Sequence, residues 1–522
     1  MPTLQRRAAG AVAERGPVRR RGRLLDPWAI AAFAAVISAA WACRPSLWFD
    51  EGATISASAS RTLPELWKLL GHIDAVHGLY YLLMHGWFAI FPATEFWSRV
   101  PSALAIGAAA AGATVFVRQF LCGRATALCA GAVFAILPRT TWAGIEARSY
   151  AFAAAAAVWL TVLLVTALRR NRPRVWVAYA VALTLAILLN LNLVLLVFVY
   201  AAMLPVLTPK DSRKSPVVWW AASSAIAVGI MTPFMVFAHN QVWQVNWIYP
   251  VSWHYAFDII LRQYFDHSVP FAILTGVLIA AAAVARLRGV QGPAGDARSL
   301  LIICTAWIVI PTALVVVYSA VGEPIYYPRY LIFTAPAAAV VMAVCIVTIA
   351  RRPWAIAAVV LLFAAAALPN YLFVQRWPYA KEGWDYSQVA DLIGSHAAPG
   401  DCLIVDNTVP WRPGPIRALL ATRPEAFRSL IDVERGAYGP KVGSLWDGHV
   451  AVWLTTAKIN KCTTIWTITD KDKSLPDHQT GQSLPTGTAF GRAPAYRFPG
   501  YLGFRIVERW QFHYSQVVRS TR

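Results

Sequence analysis

Two adjacent carboxylates, Asp50 and Glu51, follow directly after Trp48 and Phe49 in the sequence. Aromatic neighbours can shield a carboxylate from water, and this shielding raises its pKa toward the range that suits a general base. The pair could therefore supply a catalytic base and a supporting acid. The alternative is structural, because aspartate is a common N-cap and Asp50 could cap a helix over residues 53–60. The pair by itself does not decide between the two interpretations.

Two arginines, Arg148 and Arg329, stand beside tyrosines where apolar segments begin. An arginine at membrane depth must be paired or functional, and its planar guanidinium suits a phosphate group. The alternatives are that Arg148 reaches lipid headgroups or pairs with the nearby Glu146. The candidate residues of these two segments are Arg148, Tyr150, Glu323, Tyr327, Arg329 and Tyr330.

Further ionisable and aromatic residues lie in the same predicted outer loops. The segment after the acidic pair holds His72, Asp74, His77 and His85, but their spacing is not that of a metal site. His77 opens the aromatic segment 78–92, so we expect it near the same surface as Asp50. Loop 238–268 contains Trp243, Trp247 and Trp253, which are typical of a membrane interface and can also stack on sugar rings.

The elements that would position these residues are membrane helices. Of the 522 residues, 58% are hydrophobic and 14% are charged, whereas soluble proteins average about 25% charged residues. The apolar residues form blocks of roughly 15–22 residues, close to the length that crosses a bilayer as a helix. They predict eleven spans at residues 27–44, 100–117, 125–138, 150–168, 175–189, 191–207, 217–237, 269–287, 299–320, 330–349 and 353–373.

The net charge of +21 is distributed as the positive-inside rule expects, which argues against nucleic-acid binding. The Arg and Lys clusters, predicted to be cytoplasmic, occupy residues 118–124, 169–174, 208–216, 286–298 and 351–352. The acidic and aromatic connections, predicted to be outside, occupy residues 45–99, 139–149, 238–268 and 321–329. This alternation requires that segment 78–92 lies in the membrane interface as a short helix without crossing.

Three regions follow from this pattern. Residues 1–26 predict a disordered basic cytoplasmic arm, residues 27–375 a transmembrane domain, and residues 376–522 a soluble α/β domain outside the membrane. In the last region we expect strands at 402–406, 450–454 and 464–468, and helices at 385–397 and 412–420. Cys402 and Cys462 could form a disulfide there, although spacing alone does not show proximity.

Taken together, the motifs resemble the GT-C superfamily of glycosyltransferases, in the protein O-mannosyltransferase and aminoarabinose transferase group. The family's His-Pro-Pro-Leu-Tyr-Tyr motif is one residue shorter here and lacks proline. No Trp-Trp-Asp-Tyr-Gly motif is present, which argues against an oligosaccharyltransferase. The segments that carry the resemblance are 46–51 (SLWFDE), 77–83 (HGLYYLL), 99–104 (RVPSAL), 146–151 (EARSYA) and 328–331 (PRYL).

The Arg- and Ala-rich composition and the tail after Trp384 are similar to actinobacterial mannosyltransferases of lipomannan and lipoarabinomannan assembly. This resemblance implies a GT-C fold, with eleven spans and interfacial helices in the first outer loop. It also implies a plasma-membrane enzyme that transfers mannose from decaprenyl phosphate to a glycan or glycolipid at the outer face.

The resemblance assigns roles to the candidate residues. Asp50 would deprotonate the acceptor hydroxyl, which attacks with inversion, and Glu51 would assist. Arg148 and Arg329 would stabilise the lipid phosphate that leaves, so no metal is predicted. Tyr150 and Tyr330 would lie with the two arginines at the phosphate, and the residues that would contact the donor or the acceptor are His77, Tyr80, Tyr81, Glu323 and Tyr327.

Two alternatives remain. The first is an enzyme of the same fold that transfers arabinofuranose from decaprenyl phosphate. The second is a transporter or flippase of lipid-linked glycans, which would need polar residues along several spans. Here the acidic residues and the candidate arginines gather at one predicted face, which favours catalysis at a surface over passage through the membrane.

Overall fold

The computed structural model describes residues 17–208, 214–405, 417–471, 482–484 and 494–522. Within these residues the chain is a multi-pass membrane protein built from apolar helices. Seven are long and apolar enough to cross a membrane, judged by length and composition, and four shorter apolar helices accompany them. Each of the eleven predicted blocks coincides with one of these helices.

Sixteen α-helices form the membrane part and its outer loops. They are α1 (Pro17–Ala39), α2 (Phe49–Ser58), α3 (Leu63–Leu70), α4 (Gly78–Phe88), α5 (Glu95–Gln119), α6 (Gly123–Ile136), α7 (Pro138–Ala143), α8 (Tyr150–Arg170), α9 (Pro173–Leu189), α10 (Leu196–Leu207), α11 (Lys214–His239), α12 (His254–Phe257), α13 (Val269–Leu287), α14 (Ala297–Val321), α15 (Ala335–Ile349) and α16 (Pro353–Pro369). Single turns of other helical types precede or continue several of them, at Ala75–His77, Leu191–Leu195, Val242–Val245, Asp258–Arg262, Pro328–Thr334 and Asn370–Gln375.

Helix α5 lies at the centre of the bundle. It packs against α1, α6 and α8 through small buried residues that include Ala109, Ala110 and Ala113. Small residues let helix backbones approach closely, which is how membrane helices gain contact in the absence of a hydrophobic driving force. At Gly107 the backbone of α1 is so close that an added Cβ would lie 2.6 Å from the Ala31 carbonyl oxygen.

The first helix corrects the predicted arm. Residues 1–16 lie outside the described part of the chain. Helix α1 already begins at Pro17, well before the predicted start at residue 27. Proline suits the first helical position, and arginine and leucine are good helix formers, so the helix extends beyond its apolar stretch.

The two predicted sets of loops occupy opposite ends of the bundle. At one end Asp26 pairs with Arg118 and Arg124, and the Asp296 amide donates to the Phe120 carbonyl. The other end holds the predicted outer loops with their acidic and aromatic motifs, described below, together with the soluble domain. The structure therefore agrees with the alternation that the charge pattern predicted, whereas the assignment of each end to a side of the membrane stays a prediction.

The first outer loop folds into three short helices, α2, α3 and α4. Helix α3 begins at a capping box in which Thr62 and Glu65 bond each other's backbone amides. Helix α4 has eleven residues, so it is about 16 Å long, against roughly 30 Å for the hydrocarbon core of a bilayer. It cannot cross, which agrees with the interfacial helix predicted over 78–92.

The region after residue 375 contains a six-stranded sheet in the order β2-β1-β3-β6-β5-β4. Strand β1 is parallel to β2 and β3, and the remaining pairs are antiparallel. The elements are α17 (Tyr386–His396), β1 (Cys402–Val405), α18 (Ala418–Thr422), α19 (Pro424–Phe427), β2 (Ile431–Asp432), α20 (Gly439–Val442), α21 (Thr456–Ile459), β3 (Thr464–Asp470), β4 (Gln482–Leu484), α22 (Pro494–Tyr501), β5 (Arg505–Gln511) and β6 (Ser515–Thr521).

Two details of this domain answer sequence expectations. A disulfide joins Cys402 on β1 to Cys462 just before β3. The predicted strand at 450–454 is wrong, because Val452–Leu454 forms a helical turn. Trp453 and Leu454 are exposed there, so the apolar run is not a buried strand.

The soluble domain rests on the first outer loop. The Ser46 hydroxyl accepts from the Ser387 amide at 3.0 Å, and Arg423 pairs with Glu95 at 2.6 Å. Helix α18 lies so close to α2 that a Cβ at Gly52 would be 2.6 Å from the Thr422 methyl. The domain thus fixes the position of α2, which carries Asp50.

Candidate active site

Asp50 lies in the first turn of α2, at the end of the bundle that holds the predicted outer loops. Trp48 is extended and precedes the helix, which starts at Phe49, and no side chain caps it. The alternative that Asp50 caps a helix starting at residue 53 is therefore wrong. Instead, its carboxylate lies between two guanidinium groups, 3.2 Å from Arg148 Nη2 and 3.1 Å from Arg329 Nη2.

The surroundings of Asp50 act on its pKa in opposite directions. Burial raises the pKa of the carboxyl, but the charges of Arg148 and Arg329 outweigh burial, and the net shift is downward. Asp50 is therefore ionised at neutral pH. The shielded carboxylate with a raised pKa that the aromatic neighbours suggested is not what the structure contains.

Glu51 occupies a different environment from its neighbour. Its side chain is fully buried and forms a two-pronged ion pair with Arg99, with distances of 2.8 and 2.6 Å. It also accepts from the Ala147 amide at 3.1 Å. Arg99 in turn donates to the carbonyls of Ala42, Pro45 and Ser46. Glu51 thus ties α2, α5 and the loop before α8 together, and its carboxylate lies apart from the two arginines that contact Asp50.

We expect Glu51→Gln to lower stability strongly, because it leaves the buried Arg99 guanidinium without its counter-charge. Breaking a buried ion pair in this way costs about 3–5 kcal/mol. The measurement is thermal unfolding of the purified protein in detergent, with Glu425→Gln, an exposed ion-pair residue, as the matched control. An unchanged unfolding temperature together with a large loss of turnover would return Glu51 to the catalytic groups.

The two arginines beside Asp50 differ from the structural arginine Arg99. Arg99 uses its Nε and both terminal nitrogens in hydrogen bonds. The Nε groups of Arg148 and Arg329 are buried and have no hydrogen-bond acceptor among the described residues. A buried donor without an acceptor costs about 1–3 kcal/mol. Two such donors at one place indicate a site that binds an anion.

Aromatic rings surround Arg329. Its guanidinium carbon lies 4.8 Å from the centre of the Tyr327 ring, and the rings of Tyr150 and Tyr330 face each other nearby at 6.1 Å. The other two rings within 6 Å of this carbon belong to Trp48 and Trp247. The structure therefore brings Tyr150, Tyr327 and Tyr330 together around Arg329 and adds two tryptophans. Such rings hold a cation in place and exclude water from it.

The segment from Asp74 to Tyr81 supports Arg148 from the other side. Tyr81 accepts from Arg148 Nη1 at 2.8 Å and donates to Asp74 Oδ2 at 2.6 Å. Burial and the charge of Arg148 lower the pKa of His77 to about 4, so its ring is neutral. Its Nδ1 is buried with no partner in the described residues. Tyr80 packs on Phe152 in the interior.

Helix α4 itself starts at Gly78, one residue after His77, which ends the preceding turn. His77 thus lies at the start of the helix, as predicted, and close enough to Asp50 to influence its pKa. Glu323 is different: it is exposed in the loop after α14, and no hydrogen bond or ion pair joins it to the site among the described residues. Its predicted role in binding the donor or the acceptor stays a prediction.

A further group of residues beside the site, Glu146, Lys381 and Trp142, was not predicted as a group from the sequence. Glu146 accepts from Trp48 Nε1 at 2.9 Å and pairs with the buried Lys381. The alternative in which the Glu146 side chain pairs with Arg148 is therefore wrong. Burial raises the pKa of Glu146 to about 7, against the opposing charge of Lys381. Lys381 also lies over the Trp142 ring. The adjacent charged residues Lys381 and Glu382 come shortly after the last predicted span. A charged pair so close to the membrane is the sequence signal that could have indicated this group of residues.

No three His, Cys, Asp or Glu side chains come together as a metal site in the part of the chain that the structure describes. The anion-binding groups are arginines, which are always charged and present a fork of donors to phosphate.

No protein-family model matches the chain, and no curated protein is similar to it in sequence. Solved structures of a membrane protein nevertheless share its fold. ArnT from Cupriavidus metallidurans bound to undecaprenyl phosphate is 14% identical, with a TM-score of 0.52 over 95% of this chain and 98% of that chain. The apo state of the same ArnT gives a TM-score of 0.50 at 14% identity over 96% and 98%.

Proposed function

We propose that this protein is an inverting glycosyltransferase that uses a sugar attached to a polyprenyl phosphate. The observation that carries the proposal is the pair of buried arginines, Arg148 and Arg329, with free Nε–H groups on either side of the Asp50 carboxylate. A lipid phosphate supplies the acceptors that these donors need. The similar fold of ArnT, one structure of which contains undecaprenyl phosphate, supports the same ligand class.

The proposed step moves one sugar and one proton. An oxygen lone pair of the acceptor hydroxyl attacks the anomeric carbon and forms the new glycosidic bond. The bond from that carbon to the phosphate oxygen breaks, and its electron pair stays on the lipid phosphate. The hydroxyl proton passes to Asp50. Attack and departure lie on opposite faces of the carbon, so the configuration inverts.

The two arginines act on both partners of this step. In the free protein their charges keep Asp50 ionised but weakly basic, because they lower its pKa. A bound phosphate shares the same guanidinium groups and offsets their charge, which raises the basicity of Asp50. As the bond to phosphate breaks, the added negative charge on the leaving oxygen is stabilised by Arg148 and Arg329. Donor binding therefore prepares the base.

We further propose mannose as the sugar, decaprenyl phosphate as its carrier and a cell-envelope glycan or glycolipid as the acceptor. The support is the resemblance of the sequence to actinobacterial mannosyltransferases. The same proposal places the site at the outer face of the plasma membrane, with the N-terminus in the cytoplasm and residues 376–522 outside. It rests on the positive-inside pattern and on the grouping of loops at the two ends of the bundle.

The test is transfer of a labelled sugar by the purified protein in lipid nanodiscs. Membranes from cells in which the gene is deleted serve as the source of acceptor. We expect transfer from decaprenyl-phosphate-mannose and none from decaprenyl-phosphate-arabinose. Transfer from the arabinose donor alone would replace mannose with arabinose. Movement of either lipid across a vesicle membrane without glycosidic bond formation would favour a flippase.

A further inference from the structure

A second carboxylate reaches the same guanidinium group as Asp50. The Glu382 Oε1 atom lies 3.7 Å from Arg329 Nη1, whereas Asp50 contacts Arg329 Nη2. The two carboxylates differ in their access to water: the Glu382 side chain is 51% exposed and that of Asp50 is 13% exposed. Arg329 thus separates a shielded carboxylate from an open one.

The backbone around Glu382 is strained and firmly held. Glu382 has a φ of 54° and Gly383 a φ of 87°, and the first value is uncommon for a side-chain-bearing residue. At Gly383 an added Cβ would lie 2.9 Å from the His513 ring, so this position needs glycine. Strain of this kind persists only where the surroundings enforce it, and it concentrates at functional sites.

Anchors on both sides enforce this conformation. On one side Lys381 is buried against Glu146 in the membrane part. On the other side Trp384 stacks on Tyr514 of the soluble domain. The next residue, Asp385, accepts hydrogen bonds from the amides of Tyr514 and Ser515. Between these anchors the chain turns one side chain, Glu382, toward Arg329 and water.

Glu382 retains its capacity to accept hydrogen bonds. Its distance to Arg329 exceeds that of a hydrogen bond, and no donor among the described residues bonds to its carboxylate. A carboxylate has two oxygens and accepts from two neighbouring hydroxyl groups at once. Trp247, which lies at the same guanidinium group, is 39% exposed and offers a flat apolar face. A charged acceptor beside an aromatic face matches a ring that carries several hydroxyl groups.

We propose that Glu382 and Trp247 form the acceptor subsite, and that Glu382 binds hydroxyl groups of an acceptor sugar. This inference rests on the proposed glycosyl transfer and specifies its second substrate as a polyhydroxylated ring. The lipid phosphate binds at the guanidinium groups of Arg148 and Arg329, and the acceptor enters from the open side of Arg329 with its reacting hydroxyl group at Asp50. The junction between the membrane part and the soluble domain thus contributes directly to the site.

The test compares Glu382→Gln with the wild-type protein and with the exposed control Glu425→Gln. Two quantities are measured with the protein in nanodiscs. The first is the rate of sugar transfer at varied amounts of acceptor, supplied as membranes from cells in which the gene is deleted. The second is the Kd for undecaprenyl phosphate, which serves as a probe of the donor site. For Glu382→Gln we expect kcat/KM for the acceptor to fall by about 10- to 100-fold, because charge-assisted hydrogen bonds are lost. The Kd for undecaprenyl phosphate should stay within about threefold of the wild-type value. Glu382→Asp, which keeps the charge, should recover part of the loss.

Three outcomes would overturn the proposal. They are an unchanged kcat/KM in Glu382→Gln, an equal loss in Glu382→Gln and Glu382→Asp, and a large change in undecaprenyl phosphate affinity with acceptor KM unchanged. The last result would mean that Glu382 only competes with the lipid phosphate for Arg329 and does not bind the acceptor. Failure of the proposed function is separate, because the wild-type protein would then bind undecaprenyl phosphate but transfer no sugar.

Discussion

Replacing Asp50 with asparagine is expected to lower sugar transfer by about 10²–10⁴-fold, the usual contribution of a general base. The amide has nearly the same shape but cannot take the acceptor proton. Because Asp50 is the anion that now occupies Arg148 and Arg329, its removal frees both guanidinium groups. We therefore expect affinity for undecaprenyl phosphate to stay equal or rise while turnover falls.

A fall in kcat without a loss of affinity for undecaprenyl phosphate distinguishes a general base from a structural residue. The measurements are kcat with the labelled donor and the Kd for undecaprenyl phosphate, both on protein whose unfolding temperature matches the wild type. The exposed ion-pair variant Glu425→Gln, which should behave as wild type, is the control. Retained turnover in Asp50→Asn would exclude the base, and a parallel loss of binding and turnover would show that Asp50 organises the site.

The second large effect concerns Arg329. We expect Arg329→Lys to reduce kcat by about 10²–10³-fold, as found when one donor to a developing negative charge is removed. Lysine keeps the positive charge but has no Nε–H at the guanidinium position and no planar fork. The buried Nε without an acceptor is thus the atom under test. Arg148→Lys should behave in the same way, with Tyr81 losing the hydrogen bond that it now accepts from Arg148.

The matched control is Arg428→Lys, an arginine with 75% exposure in a surface ion pair. It should leave turnover unchanged, because exposed ion pairs contribute little. The assay reports kcat and donor KM separately. If Arg329→Lys raised only the donor KM, the arginine would hold the ground-state donor alone. If it changed neither, the phosphate would lie elsewhere and the assigned site would be wrong.

The role of Glu51 shows how tertiary contacts divide two adjacent and chemically similar residues. In a helix, neighbouring positions point about 100° apart, so Asp50 and Glu51 enter different environments. Arg99 takes Glu51 into a buried ion pair, whereas Arg148 and Arg329 reach Asp50. The sequence contained all five charges, but it contained no information on which partner each carboxylate would find.

The sequence by itself determined the membrane architecture. Hydrophobic length and charge placement depend on the composition of each segment, so they predicted eleven apolar helices, a short helix near residue 78 and the separation of the loops at two ends. The same reasoning selected Asp50, Arg148, Arg329 and three tyrosines, because a carboxylate and arginines in the loops predicted to be outside depart from the positive-inside pattern and have specific chemistry. The strand–helix alternation of the tail predicted an α/β domain in the same way.

The contacts between residues that are distant in sequence became known only from the tertiary structure. It joined Cys402 to Cys462 and buried Lys381 against Glu146. It also placed Glu382 beside Arg329, from a junction more than 50 residues further along the chain. Local patterns reflect the medium that surrounds each segment, whereas partners distant in sequence meet through the packing of helices and the docking of the soluble domain. The pair Asp50–Glu51 was visible at once, and its division into a site residue and a structural residue required the fold.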